Sequence, residues 1–345
     1  MLDDDNAPIS AKDAKHLFGD WKAVPAIVLA VSGGPDSVAL MWLMARWRAA
    51  QSRGPRLMAI TVDHGLRAEA AREAREVKRL AGTLDLPHRT VRWTGPKPRT
   101  GLPAAARDAR YRLLAKAAGA IGATHILTAH TRDDQAETLL MRMSRGSGLA
   151  GLAAMARQSE RDGVVLARPF LHLPKSRLVA TLIKARIGFA VDPTNEDTNF
   201  TRPRFRALMP ALASEGCDSR NLARLASRLA RANTALEVLV DGAERFLALK
   251  DGGMAQPGFD ATVFAALSEE IRVRLLARII DRLGHEGPAE LGKVEALVVA
   301  LDRAGAQKPV KGRMRLKQTL AGALVSLTED RIRIEPAPPR RRSAN

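Results

Sequence analysis

The stretch Leu29-Ala30-Val31-Ser32-Gly33-Gly34-Pro35-Asp36-Ser37 decides the fold of this chain, because it joins two different hydrophobic patterns. The apolar run over residues 26–31 is typical of a buried strand, whereas the run over residues 38–47 is typical of a helix. The small polar residues between the two runs predict a strand-to-helix turn. Free amide groups at the start of such a helix attract anions.

The composition of the turn suits phosphate groups. Gly33 and Gly34 have no Cβ atom, so their backbone can approach a ligand closely. Ser32 and Ser37 add hydroxyl donors, and the Asp36 carboxylate is a hard oxygen ligand of the kind that Mg²⁺ prefers. No Gly-Lys-Ser/Thr follows and the glycine spacing differs from the dinucleotide fingerprint, so two common nucleotide motifs are excluded. We expect residues 32–37, Pro35 included, to bind the phosphates of a nucleotide.

Composition narrows the class of protein and partner. The chain has 345 residues, enough for two or more domains, and a formal net charge of +18, which favours a polyanionic partner. A coding bias towards arginine and alanine is the alternative explanation of the charge. Cys217 is the single cysteine, so an intramolecular disulfide and a Cys-x-x-Cys pair are excluded. The acidic start and the shortness of the apolar runs predict a cytoplasmic protein without a membrane partner.

Strand patterns alternate with helix patterns along the first part of the chain. Strands are predicted at residues 56–62, 88–93, 124–129 and 164–170, and helices at residues 69–84, 104–118 and 174–187. This alternation predicts a parallel α/β sheet with helices on both faces. Ligands of such sheets bind beyond the carboxyl ends of the strands. The phosphate loop, Asp63-His64 and His130 all follow strands, so we expect them at one edge of the sheet.

Carboxylates follow His130 at the start of the next predicted helix. Glu137 is three residues from Asp134 and four from Asp133, so it shares a helical face with either aspartate. A helix cap is the alternative explanation for either aspartate alone. An imidazole beside two carboxylates at a strand end favours a functional site.

Several arginines complete the candidate site. Arg107 and Arg110 share one helical face beside Tyr111, where they can hold a phosphate or remain solvated. Arg145 opens a glycine-rich loop, and Arg202 and Arg206 lie four residues apart.

Together these motifs identify a family. Ser-Gly-Gly-x-Asp-Ser resembles the pyrophosphate-binding loop of the N-type ATP pyrophosphatases. The ordered set resembles the tRNA(Ile)-lysidine synthetases within that superfamily, most strongly over residues 25–215. Pro203 departs from that pattern, because asparagine is common at its position. The set consists of the loop, residues 62–67, residues 106–111, residues 130–138, residues 145–148 and residues 192–206.

The resemblance implies a reaction that uses ATP, Mg²⁺ and L-lysine on isoleucine tRNA with a CAU anticodon. ATP adenylylates the C2 oxygen of the wobble cytidine, and the side-chain amine of lysine then displaces AMP to form lysidine. It implies catalytic roles for Asp36, His130, Asp134 and Glu137, with Asp36 and Asp134 as metal ligands. Residues 32–37, Asp63 and His64 would bind ATP. The substrate or tRNA contacts would be Arg107, Arg110, Arg145, Arg202 and Arg206.

The expected architecture is a Rossmann-like ATP-pyrophosphatase domain over residues 1–215, a mainly helical tRNA-binding domain over residues 216–305 and a short basic β element with a tail over residues 306–345. Residues 261–283 and 289–303 are predicted helices, and residues 324–327 and 331–335 a hairpin. The sequence is compatible with either a monomer or a homodimer. The rival interpretations are another tRNA-modifying N-type ATP pyrophosphatase, an NAD synthetase, and a noncatalytic RNA-binding relative.

Overall fold

The computed structural model describes residues 4–65, 70–98, 100–190, 201–250, 258–307, 314–328 and 330–338. The chain forms two compact units. The first comprises Met1–Gly146 and Gly151–Arg228, and the second comprises Ser147–Ala150 and Leu229–Asn345. Each unit has its own hydrophobic core.

The first unit contains a six-stranded sheet with the strand order β3-β2-β1-β4-β6-β5. The first four strands and β6 run parallel, which confirms the predicted sheet. The edge strand β5 runs antiparallel to β6 and was not predicted. The strands are β1 (Ala26–Ala30), β2 (Arg56–Asp63), β3 (His88–Arg92), β4 (His125–Leu127), β5 (Gln158–Arg161) and β6 (Val164–Ala167).

Helices cover both faces of this sheet. The helices of the first part of the chain are α1 (Ala11–Phe18), α2 (Pro35–Ala49), α3 (Ala70–Thr83), α4 (Leu102–Gly119), α5 (Arg132–Met143), α6 (Leu149–Leu152), α7 (Lys175–Ala185), α8 (Thr201–Ser214) and α9 (Ser219–Lys250).

The central strand β1 shows why the sheet is buried on both sides. Successive side chains of a strand point to opposite faces. Ile27 and Leu29 join the cluster built with α1, α2 and α7, whereas Ala26 and Val28 join the cluster built with α4. The continuous apolar run in the sequence therefore reflects a strand without a solvent face.

The second unit pairs an antiparallel sheet with helices. Its four strands have the order β7-β10-β9-β8, and the predicted hairpin is confirmed as β9 and β10. Residues 261–283 were predicted as one helix, but the structure breaks this segment before Ser268, the N-cap of α11. The elements are β7 (Gly258–Asp260), α10 (Ala261–Ala265), α11 (Glu269–Leu283), α12 (Leu291–Gly305), β8 (Leu316–Leu320), β9 (Ala323–Leu327) and β10 (Arg331–Pro336).

No helix in the described ranges combines the length and the apolar character that crossing a bilayer requires.

Candidate functional site

The site lies where the order of the parallel strands reverses. β1 and β4 are neighbours, with β2 and β3 on one side and β6 on the other. In doubly wound sheets this reversal opens a crevice beyond the carboxyl ends of the strands. The loop that contains Asp36 follows β1, and His130 follows β4. The topology thus confirms that both segments lie at one sheet edge.

The phosphate loop is folded around the Ser37 hydroxyl. Ser37 Oγ accepts the Ser32 amide at 3.1 Å and the Gly33 amide at 3.2 Å, and donates to Gly34 O at 2.9 Å. Gly33 has φ +98°, a conformation open to glycine and strained for other residues. Gly34 is the N-cap of α2 and Pro35 its first residue. Ser37, predicted as a donor to phosphate, thus has its hydroxyl hydrogen engaged within the loop.

Asp36 combines burial with an unused oxygen. Its Oδ2 lies 3.6 Å from Lys175 Nζ, and its Oδ1 is buried without a hydrogen-bond partner among the described residues. Burial raises the pKa of Asp36 to about 6; Lys175 opposes this shift, and the charges of Asp134 and Asp133 add to it. A buried carboxylate oxygen without a donor is suited to a cation.

The two aspartates at the start of α5 accept backbone amides of two different helices. Asp134 Oδ2 accepts the Thr131 amide at 2.8 Å and the Thr131 hydroxyl at 3.1 Å, completing a capping box. Asp133 Oδ2 accepts the amide of Lys175, the first residue of α7, at 2.8 Å. Asp134 therefore belongs to the cap of α5, whereas Asp133 links α5 to the start of α7. Asp134 also has its second oxygen, Oδ1, 3.9 Å from Arg202 Nη1.

Glu137 is the most deeply buried acid of the site, with 2% of its surface exposed. Its Oε1 accepts Arg206 Nε at 2.9 Å and lies 2.8 Å from Arg206 Nη2, and Oε2 is buried without a hydrogen-bond partner in the described ranges. Burial raises the pKa of Glu137, and the Arg206 charge opposes this effect. Arg202 and Arg206 were predicted to contact tRNA. Both lie on α8, where they pair with Asp134 and Glu137 of α5.

His130 is held in its neutral form. Its Nδ1 lies 2.9 Å from Thr128 Oγ1, and this hydroxyl lies 3.5 Å from Ala167 O of β6. Burial lowers the pKa of His130 to about 3; Asp134 opposes the shift, whereas Arg110 and Arg168 strengthen it. At neutral pH the imidazole can exchange hydrogen bonds but is a weak proton acceptor.

Arginines gather around Tyr111 on α4. The guanidinium carbons of Arg107 and Arg110 lie 5.2 and 5.8 Å from the ring centroid. Arg161 lies 4.8 Å from the same centroid. Burial is the largest cause that lowers the pKa of Arg110. The structure therefore places both predicted α4 arginines in one cationic cluster. The positive charges of Arg107 and Arg110 contribute to the lowered pKa of His130.

The remaining predicted residues differ in their placement. Asp63 Oδ1 accepts the Gly65 amide at 2.8 Å, and the His64 ring packs edge-on against Trp93 at 6.1 Å, so both residues form a turn at the end of β2. Arg145 is exposed beyond the far end of α5, a helix about 18 Å long. The structure does not bring Arg145 next to the α5 cap. Leu66, Arg67 and residues 192–200 lie outside the described residues.

Sequence reasoning missed three contributors. Thr131 was detectable, because a threonine three residues before an acid is the capping pattern. Lys175 and Arg168 carried no local signal, since Lys175 reaches Asp36 only through the packing of α7 against α2, and Arg168 reaches the site only because β6 pairs with β4. The site therefore contains more cations than its motifs reveal.

Comparisons with known proteins agree with this geometry. The PP-loop domain family matches residues 6–212. The tRNA(Ile)-lysidine synthase of Bradyrhizobium diazoefficiens is 67% identical, with 100% of this chain and 99% of the relative covered. That of Rhodopseudomonas palustris is also 67% identical, over 99% of each chain.

One solved structure supports the fold. The U34-tRNA thiolase NcsA from Methanococcus maripaludis, solved with its [4Fe-4S] cluster, aligns with a TM-score of 0.55 at 15% identity, over 64% of this chain and 77% of that chain. At this identity the likeness concerns the fold alone. The matched domain and the full-length identities decide the family: this chain belongs to the tRNA(Ile)-lysidine synthases, with a PP-loop domain as its first part.

Proposed function

We propose that this protein joins L-lysine to C2 of the wobble cytidine of tRNA(Ile) with a CAU anticodon. The observation that carries the proposal is the Asp36 carboxylate of the phosphate loop, whose Oδ1 is buried without a hydrogen-bond partner among the described residues. A cytosine C2 carbonyl is a poor electrophile. Attack of its oxygen on the α-phosphorus of ATP releases pyrophosphate and makes AMP the later leaving group.

The first step uses the loop. Residues 32–37 would hold the departing pyrophosphate at the start of α2, where backbone amides stabilise negative charge. Asp63 and His64 follow the neighbouring strand β2 and would contact the rest of ATP.

Mg²⁺ fits the donors that are present. Asp36 has an unused buried oxygen, and one oxygen of Asp134 remains outside the capping box. The described residues include no cluster of three or more His, Cys, Asp or Glu side chains that could hold a metal. This agrees with Mg²⁺, which takes one or two carboxylates together with substrate phosphates. When bound, the ion would neutralise charge that develops on the phosphates.

The second step requires a proton acceptor, because the lysine ammonium must lose a proton before its nitrogen attacks C2 and breaks the bond to the AMP oxygen. Glu137 suits this role better than His130, since burial raises the pKa of Glu137 and lowers that of His130 to about 3. Asp134 would help to orient the ammonium. His130 would act as a neutral hydrogen-bonding group.

The tRNA would approach the site from the side that carries the basic side chains. Arg107, Arg110, Arg202 and Arg206 lie on α4 and α8 beside these acids, and Arg145 lies farther away. The net charge of +18 favours binding of a polyanion. A substrate of this kind supports a cytoplasmic location. We also propose residues 1–215 as the catalytic domain.

The proposal is tested by pyrophosphate release. Purified protein with ATP should release pyrophosphate only when the CAU-anticodon isoleucine transcript is present, and AMP only when lysine is added. A transcript with a different wobble base is the matched control. Release of pyrophosphate without any tRNA dependence would contradict the proposed substrate.

A further inference from the structure

Three arginines close to Tyr111 have no acidic partner among the described residues. In the part of the chain that the structure describes, Arg107, Arg110 and Arg168 have no ion pair with a carboxylate. Arg161, on the same ring, does have one, because its Nη2 lies 2.7 Å from Asp108 Oδ1. Guanidinium groups that converge without acids are costly unless an anion joins them.

Arg168 is the third of these arginines, and it interacts electrostatically with Tyr111 and Arg107. It directly follows β6, has 6% of its surface exposed, and donates from Nη1 to Ala156 O at 2.8 Å and to Ser159 Oγ at 3.1 Å. Its Nε is buried without a hydrogen-bond partner in the described ranges. Burial lowers the pKa of Arg168, and Arg107 adds to this shift while Tyr111 opposes it. A planar donor fork is therefore fixed at the end of β6 with its Nε donor unused among the described residues.

The strand order separates this cluster from the nucleotide. The phosphate loop follows β1, and Asp63 follows β2 on one side of it. Arg168 follows β6, two strands away from β1 on the other side, or about 10 Å at the usual strand spacing. ATP that extends from the loop towards β2 leaves the β4–β6 side to the second substrate.

We infer that Arg107, Arg110 and Arg168 bind a phosphodiester of the tRNA strand next to the reacting base. Guanidinium groups bind phosphate oxygens through paired N–H donors, and their fixed fork sets the orientation of the strand. Tyr111 is 1% exposed, so it supports the arginines rather than stacking on a base. This inference rests on the proposed function, since it assigns the β4–β6 side to the tRNA.

The test measures tRNA binding in the absence of ATP. Labelled CAU-anticodon isoleucine transcript is titrated with full-length protein at several salt concentrations, and KM for ATP is measured separately. Arg168→Gln and Arg107→Gln should each weaken tRNA binding about tenfold at low salt and reduce the salt dependence by roughly 0.7 to 1 in logarithmic slope. KM for ATP should change less than about twofold, because the predicted contact is not with ATP.

Two further variants keep the result decisive. Arg161→Gln removes a guanidinium from the same ring but one that is already paired, so tRNA binding should stay at the wild-type level. Arg107 is exposed, so its variant tests the subsite even if loss of the Arg168 contacts to Ala156 and Ser159 disturbs folding.

The opposite results would overturn the inference. Unchanged tRNA affinity and salt slope in Arg107→Gln would refute the phosphodiester subsite. A raised KM for ATP with intact tRNA binding would assign the cluster to the nucleotide. Lysidine formation by the wild-type protein is measured on the same preparation. Arginine-dependent tRNA binding without lysidine would refute the proposed function alone, whereas lysidine without arginine dependence would refute the phosphodiester subsite alone.

Discussion

Replacing Asp36 by asparagine should make the protein more stable and inactive at the same time. The substitution keeps the size of the side chain and removes the charge. Because burial raises the pKa of Asp36 to about 6, the folded protein bears a cost for its ionised carboxylate. Asparagine would resemble the protonated acid and avoid that cost, while the oxygen available to a cation would be lost.

The magnitude follows from the pKa. The rise from the ordinary value of 3.8 to about 6 corresponds to about 3 kcal/mol at roughly 1.4 kcal/mol per pH unit. We treat this as an upper value, because 25% of the Asp36 side chain is exposed. The folded state holds the proton more tightly than the unfolded chain. The cost is therefore absent below pH 3.8, grows up to about pH 6 and is complete above it.

Urea unfolding followed by tryptophan fluorescence is the suitable assay. The four tryptophans, Trp21, Trp42, Trp47 and Trp93, all belong to the first unit, so the signal reports on the unit that contains Asp36. Asp36→Asn should raise the free energy of unfolding by about 1 to 3 kcal/mol at pH 7 and by almost nothing at pH 4. Excitation at a wavelength that tyrosine does not absorb restricts the fluorescence signal to the four tryptophans.

The control for this assay is Asp20→Asn. The Asp20 side chain is 61% exposed and pairs with Arg157, and removal of such a surface pair should change stability by less than about 1 kcal/mol. Equal or lower stability of Asp36→Asn at pH 7, or a gain that does not shrink towards pH 4, would refute the reasoning. So would retention of wild-type pyrophosphate release.

Three further predictions concern the same unit. Gly33→Ala should lower the free energy of unfolding by roughly 1 to 3 kcal/mol and raise KM for ATP, because alanine is strained at φ +98°. The cost would come from the backbone, since the new Cβ would meet only ordinary contacts, the nearest at 3.6 Å. An unchanged urea midpoint and an unchanged KM would contradict this. Glu137→Gln should slow lysine transfer by about 10² to 10⁴ and spare tRNA-dependent ATP–pyrophosphate exchange; equal loss of both steps would argue against Glu137 as proton acceptor. Asp5→Asn should lower the urea midpoint at pH 7, because a hydrogen bond from Arg132 is the largest cause that lowers the pKa of Asp5 below its ordinary 3.8. The deficit should vanish once the pH falls below that lowered pKa, and a deficit that persists in strong acid would point to another cause.

Local pattern was sufficient for the framework of the first unit. The apolar run before Ser32 and the helical spacing after Ser37 located the phosphate loop, because both patterns depend on a few neighbouring residues. Parallel strand geometry then brought His130 to the same edge without knowledge of any contact. The cap role of Asp134 was one of two alternatives that its position in the first turn of a helix left open.

Long-range packing supplied what the sequence could not predict. The pairing of Glu137 with Arg206 joins residues 69 positions apart, and the Asp36–Lys175 contact joins two helices. Arg202 and Arg206, which the family resemblance assigned to tRNA contacts, also pair with acids, because α8 packs on α5. The edge strand β5, with the sequence Gln-Ser-Glu-Arg, has no apolar run and gave no strand signal.

The central claim is tested most directly by the mass of the wobble nucleoside. Purified protein is incubated with ATP, Mg²⁺, lysine and the CAU-anticodon isoleucine transcript, and the digested RNA is analysed by mass spectrometry. We predict that the wobble cytidine gains the mass of one lysine less one water, and that Asp36→Asn leaves it unmodified. An unmodified cytidine with folded wild-type protein, or modification of a different nucleoside, would contradict the account.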